Sequence, residues 1–177
     1  MKPKRLARTE IYTSDWLSLY ADRVVQPGGR IIEKWHIIKF HKGGSIALVE
    51  NDKVELLLVQ SYRYATDSVD WELPAGGVES GDDPIETAKR EVLEETGWET
   101  TDHELLYTYY PIISVSDTLF YIVRCKATLD TGAFDTNEVK AVKWFPIAEL
   151  RQMILDQKIK DGYSLSALLL YFMNYGS

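Results

Sequence analysis

Three glutamates and one arginine, Arg90, Glu91, Glu94 and Glu95, stand together in the stretch Gly76–Trp98, which reads GGVESGDDPIETAKREVLEETGW. At about 100° per residue the three glutamates share one arc of a helix of about 100°. Like charges one turn apart repel by a few tenths of a kcal/mol in water, so helix formation alone does not favour them. One reading is a solvated acidic face. The other is a carboxylate cage for a hard divalent cation such as Mg²⁺, which prefers oxygen ligands and retains waters for chemistry.

The helix that carries them is well marked. Asp83 can cap it, Pro84 suits its first position and Glu86 completes a capping-box pattern. Gly97 is placed to end it. Ile85, Ala88 and Val92 form an apolar face beside the glutamates. Strands are expected around this helix. Arg30–Phe40 is β-branched and aromatic, between the turns Gln26–Gly29 and His41–Gly44. Ser45–Glu50 and Val54–Gln60 read as a hairpin closed by Asn51 and Asp52. Trp71–Leu73 is a short extended piece ended by Pro74 and two glycines. Further strands are expected near Leu105–Tyr109, Thr118–Ala127 and Val139–Phe145, with helices over Pro146–Gln157 and Tyr163–Asn174. This is an α/β pattern with no internal repeat and no dividing linker. In the first 40 residues, Tyr12, Trp16, Leu17, Leu19 and Tyr20 are apolar enough to need burial, in the same core or on a second subunit.

Composition sets limits on function. A length of 177 residues suits one domain with a small extension. The net charge of −7 opposes a general nucleic-acid binder. An anionic substrate would therefore need a local metal or arginine site. No apolar run approaches the length of a membrane span, and Met1–Glu10 has basic residues without the apolar run of a secretory signal. Cys125 is the sole cysteine. It points to a reducing, cytoplasmic setting and reads as a buried structural thiol.

The glutamate stretch resembles the Nudix box, G-x5-E-x7-R-E-U-x-E-E-x-G-U, in which U is bulky and apolar. Gly76, Arg90, Glu91, Glu94, Glu95 and Gly97 match its fixed letters, and Val92 and Trp98 fill its apolar places. Asp82 stands where the box has its first glutamate. The resemblance implies an α/β/α sandwich with a mixed sheet and a loop-helix-loop box, here over residues 41–177. It also implies metal-dependent pyrophosphate hydrolysis, with Mg²⁺ or in its place Mn²⁺. Glu91, Glu94 and Glu95, joined by the Ala75 carbonyl, would be the metal ligands, and Arg90 would hold the glutamates by a salt bridge.

A second run, Val59–Tyr64 followed by Trp71–Gly76 (VQSYRY…WELPAG), is similar to that of the ADP-ribose and nucleotide-sugar pyrophosphatases. By that resemblance Arg63 and Glu72 help to hold substrate; for Arg63 the bland alternative is an ordinary surface arginine. Trp71 could stack on a base or ribose, or serve as a core tryptophan. Matching Trp144–Pro146 to the family's W-L-P places Glu138 at the position of the catalytic base, with Asp135 nearby; the alternative is a solvated loop acid. Many relatives are dimers joined through exchanged N-terminal strands, which implies a homodimer built on residues 1–40. Ile113 stands where ADP-ribose pyrophosphatases commonly carry a proline, so ADP-ribose is not favoured over GDP-mannose or another nucleotide sugar.

The expected activity is cleavage of a nucleoside diphosphate sugar to a nucleoside monophosphate and a sugar phosphate. The alternatives are a Nudix hydrolase of dinucleoside polyphosphates, nucleoside triphosphates or capped RNA, and a binding domain without catalysis. No membrane association or stable nucleic-acid binding is expected.

Overall fold

The computed structural model describes residues 1–175. The chain divides into two compact units, Met1–Gly43 with Tyr110–Leu119, and Gly44–Tyr109 with Phe120 onward.

The first unit is an antiparallel sheet in the order β1-β2-β3, with β1 Lys4–Thr13, β2 Leu17–Val25 and β3 Ile31–Phe40. The predicted turn before β3 forms: the Gly29 amide donates to the Gln26 carbonyl at 2.9 Å, with Gly29 at φ 83°. Segment 110–119, which the sequence did not join to this unit, meets β3 where the Ile38 amide donates to the Val115 carbonyl at 2.8 Å. Every residue of β1 is exposed. The expectation that Tyr12 and Trp16 are buried is not met within the chain, since they are 57% and 79% exposed. Leu17, Leu19 and Tyr20 are half-buried. Among the described residues, none covers Tyr12 or Trp16. Asp22 is buried in β2, as Ser18 is, and is held by Arg8 through Nε at 2.7 Å and Nη2 at 2.8 Å.

The second unit is a mixed sheet of seven strands along the order β10-β5-β4-β9-β8. These are β4 Gly43–Glu50, β5 Glu55–Arg63, β8 Trp98–Tyr109, β9 Phe120–Asp130 and β10 Val139–Pro146. The strand β6 Ser68–Glu72 pairs with β5, and β7 Ala75–Val78 pairs with β4. β4 and β9 run parallel, Gly44 opposite Phe120 through Glu50 opposite Lys126. Both faces of this sheet are covered, which is why its central strands read as unbroken apolar runs. Alternation divides the runs between two layers. Ala47, Val49, Leu57, Val123 and Cys125 face Ala88 and Val92 of helix α1, Pro84–Thr96. Ile46, Leu48, Leu56, Leu58 and Ile122 pack with Leu150 and Met153 of α2, Ile147–Leu155, and Leu168 and Tyr171 of α3, Gly162–Tyr175. The architecture is the expected α/β/α sandwich. Cys125 is buried, and burial pushes its thiol up to about 12.

Several boundaries differ from expectation for local reasons. Val54 is not in the strand but in the turn at φ 61°, because the Asn51 side chain gathers the Lys53 and Glu55 amides at 2.9 and 3.0 Å. β8 begins seven residues earlier than its apolar core suggests, carried by pairing of Trp98 with Asp130 and Glu99 with Leu129. The two glycines after Pro74 continue as strand β7 rather than ending the structure. No helix among the described residues is long and apolar enough to cross a membrane.

Candidate active site

Helix α1 begins as its sequence predicts. Asp83 accepts the Ile85 amide at 2.9 Å and Pro84 occupies the first turn. Glu86 does not close a capping box but faces Lys89 at 3.8 Å. Gly97 ends the helix at φ 76°, its amide donating to the Leu93 carbonyl at 2.9 Å. Thr87, Ala88, Val92 and Thr96 are buried beneath the helix. That contact turns the glutamates toward a cleft of about 340 Å³, lined by Glu91, Glu94, Glu95, Phe134, Asp135 and Glu138 among others.

The three helix glutamates occupy different environments. Glu94 is exposed and accepts Arg90 Nη1 at 2.9 Å. Glu91, with 15% of its side chain exposed, accepts Arg90 Nη2 at 2.6 Å. Burial raises its carboxyl above the ordinary value, against the opposing pull of Arg90. Glu95 is the most withdrawn from water, and burial pushes its carboxyl up to about 8. Its Oε2 accepts the Ala75 amide at 3.1 Å, which brings Ala75 to the glutamates. Gly76 comes next in β7, where a side chain would collide with the Glu91 carboxyl group. The glycine therefore serves close approach and not only a turn.

Arg63 and Glu72 are brought together at the β5–β6 pair. Arg63 Nε donates to both carboxylate oxygens of Glu72, at 2.9 and 3.0 Å, and Nη2 makes a further close contact. Glu72 is buried, whereas the Arg63 side chain is 56% exposed. The hydrogen bonds it donates to Glu72, with the added pull of Asp161 and Glu95, raise the arginine above its ordinary value. Trp71 is not brought to the cleft. Alternation along β6 sends it to the face opposite Glu72, edge-on to Phe145 at 4.9 Å. There it lines a separate groove with Lys143 and Met153 and packs, partly buried, against the core.

The Glu138 loop is docked on the end of α1. The Asp135 amide donates to the Glu94 carbonyl at 2.9 Å, and both the amide and hydroxyl of Thr131 donate to the Gly97 carbonyl, at 2.9 and 2.8 Å. Helix carbonyls left over at a C-terminus need such partners. Here they fix the loop that carries Asp135 and Glu138 beside the glutamates. Phe134 and Ala133 also line the cleft and were not singled out in the sequence, where no motif marks them. Asp82 is exposed in the turn before α1, its amide donating to the Glu79 carbonyl at 3.1 Å.

Among the described residues, no three acidic, histidine or cysteine side chains converge tightly enough to hold a metal as they stand; Arg90 bridges Glu91 and Glu94 instead. The donor set nonetheless suits a hard cation. It offers carboxylate oxygens at the rim of one cleft, and the largely buried Glu95 carboxyl gains from a positive neighbour.

A family model, the NUDIX domain, matches residues 40–167. A CMP-5'-(N-acetyl-N-hydroxy-3-aminopropyl)phosphonate hydrolase of Streptomyces rubellomurinus is 30% identical over 81% of this chain and 69% of its own. An ADP-ribose pyrophosphatase of Bacillus subtilis is 28% identical over 95% of this chain and 91% of its own. The fold also matches a crystal structure described as an ADP compounds hydrolase, with a TM-score of 0.86 and 18% identity, over 99% of this chain and 97% of that one. With that family model covering residues 40–167, the chain belongs to the Nudix family and is a pyrophosphohydrolase resembling the ADP-ribose pyrophosphatases.

Proposed function

We propose that this protein hydrolyses the pyrophosphate bond of a nucleoside diphosphate sugar, giving a nucleoside monophosphate and a sugar phosphate. The observation that carries the reading is the shared cleft, with Glu91, Glu94 and Glu95 on one wall and Glu138 on the loop facing them. Glu91, Glu94, Glu95 and the Ala75 carbonyl would hold Mg²⁺, with Mn²⁺ as a substitute. When bound, the metal neutralises the diphosphate and lowers the barrier to attack at phosphorus.

The chain's own groups supply the rest. Arg90 keeps Glu91 and Glu94 apart yet anchored. Arg63, exposed beyond its pairing with Glu72, presents N–H groups to the anionic substrate. Glu138 accepts a proton from water as its oxygen bonds to phosphorus. The P–O bond on the far side breaks, and the electron pair leaves with the departing phosphate. The acidic chain thus meets an anionic substrate through two local cationic features.

A homodimer is part of this reading. Leu6, Ile11, Tyr12, Trp16 and Ile31 are exposed on β1 to β3 and the turn between β1 and β2, and a second copy is the occupant that would cover them. The single buried thiol accords with a reducing, cytoplasmic setting.

Product release from a panel tests the proposal. ADP-ribose, GDP-mannose, UDP-glucose, diadenosine polyphosphates and nucleoside triphosphates would each be assayed with Mg²⁺ and with chelator. Metal-dependent cleavage confined to the nucleotide sugars is expected. Cleavage confined to the triphosphates or dinucleoside polyphosphates would overturn it.

A further inference from the structure

The strip Glu72–Ala75 carries two site residues and is tied down at successive points. The Glu72 carboxylate is held by Arg63. The Pro74 carbonyl accepts the Ala47 amide at 2.9 Å, and the Ala75 amide donates to Glu95 at 3.1 Å. Proline has no N–H, so one backbone donor remains between Glu72 and Ala75, that of Leu73. It donates to the Ser164 hydroxyl at 2.8 Å, a buried contact between residues 91 apart in the chain.

Ser164 is 1% exposed, in the first turn of α3. Its hydroxyl proton is given to Asp161 Oδ2 at 2.6 Å, and its amide donates to the same oxygen at 2.8 Å. A hydroxyl has one proton and two lone pairs. With the proton committed to Asp161, the lone pairs are aimed at the Leu73 amide. The helix cap itself needs only the Asp161 carboxylate and the Ser164 amide. The Ser164 oxygen is surplus to the cap, and its lone pairs serve the strip.

We propose that the Ser164 hydroxyl, oriented by Asp161, is a positioning group for the active site, holding Glu72 against Arg63 and Ala75 against Glu95 through the Leu73 amide. The inference rests on the proposed hydrolase reading for its kinetic and Mg²⁺ readouts, and amide exchange is independent of it. It makes the start of α3 part of the machinery, although Ser164 itself touches no substrate.

The test compares Ser164→Ala with Ser164→Thr in the full chain. Ser164→Ala keeps the cap and removes the contact to Leu73. Amide hydrogen exchange at Leu73 and Ala75 should accelerate, and the Mg²⁺ concentration for half-maximal stabilisation against heat should rise several-fold. With substrate, kcat should fall about ten- to hundredfold, the scale on which small misplacements act, with KM changed less. Ser164→Thr, which retains the hydroxyl, should restore exchange protection and kcat even where its extra methyl lowers the melting temperature. Wild-type exchange, Mg²⁺ response and kcat in Ser164→Ala would overturn the proposal, as would equal losses in both variants, which would mark a packing effect. Should the wild-type protein cleave no substrate in the panel, the functional reading fails, and the exchange arm at Leu73 and Ala75 still decides the role of Ser164.

Discussion

A Cβ on residue 76 would lie 1.9 Å from the carboxyl carbon of Glu91. The glycine of β7 and the glutamate of α1 therefore occupy one space, and the helix reaches the strand because residue 76 has no side chain. The obstructing atoms belong to the end of a flexible side chain, so the fold can adjust and the carboxylate cannot stay. Gly76→Ala should unfold within a few degrees of wild type and lose about 10²-fold or more in kcat, as a misplaced catalytic group does. Steady-state kinetics beside a melting curve checks this; full activity would show that Glu91 does not need its place.

Gly97 couples stability to the Glu138 loop. It sits at φ 76°, and a Cβ there would lie 2.7 Å from the Ala133 carbonyl oxygen, a backbone atom that cannot swing aside. Gly97→Ala should cost at least about 1 kcal/mol, because an alanine is strained at positive φ. Its kcat should fall as well, because the loop must shift. Denaturant unfolding and kcat measured together would reveal this. A stability loss with kcat intact would mean that the loop's seat on α1 is not needed.

Arg63 is expected to act on substrate binding. In Arg63→Ala the buried Glu72 loses its partner and the substrate loses a charge-assisted contact, of the kind worth about 1.5–3 kcal/mol. KM should rise by about tenfold or more, since 1.4 kcal/mol is a factor of ten, while kcat changes less. Arg63→Lys should recover only part, because an ammonium cannot reproduce the guanidinium fork. An unchanged KM would leave Arg63 as a structural partner of Glu72.

The Arg8–Asp22 pair gives the first unit a pH dependence. The hydrogen bonds from Arg8 hold the Asp22 carboxyl below its ordinary value. A carboxyl depressed in the folded state stabilises above its unfolded pKa, and that stability is lost as pH falls through the folded value. Melting temperature between pH 7 and pH 3 should therefore fall more steeply for wild type than for Asp22→Asn, which starts lower. Parallel curves would contradict the pairing.

Much of this arrangement was legible in the sequence because it is local. Asp83, Pro84 and Gly97 delimit α1 through bonds within a few residues, and fixed spacing alone places Glu91, Glu94 and Glu95 on one arc. Alternation likewise sorts Ile46 and Leu48 from Ala47 and Val49. What was not legible depends on partners distant in the chain. Trp71 and Glu72 are neighbours in one motif, yet pairing of β6 with β5 sends them to opposite faces. The Ser164 contact with Leu73 spans most of the domain. The exposed Tyr12 and Trp16 were expected to be covered, and nothing among the described residues covers them. Val54 looked like a strand residue by type, and the Asn51 side chain claimed it for a turn.

The central claim is that the α1 glutamates support metal-dependent hydrolysis of a nucleotide sugar. The most direct measurement is release of nucleoside monophosphate and sugar phosphate from ADP-ribose and GDP-mannose, by wild type and Glu95→Gln, with Mg²⁺ and with chelator. The account predicts turnover of at least one substrate by wild type with Mg²⁺ and loss of turnover with chelator. It also predicts no measurable turnover by Glu95→Gln, a near-isosteric change at a largely buried carboxyl that leaves the melting temperature close to wild type. Undiminished turnover by Glu95→Gln, or wild-type turnover unaffected by chelator, would contradict it.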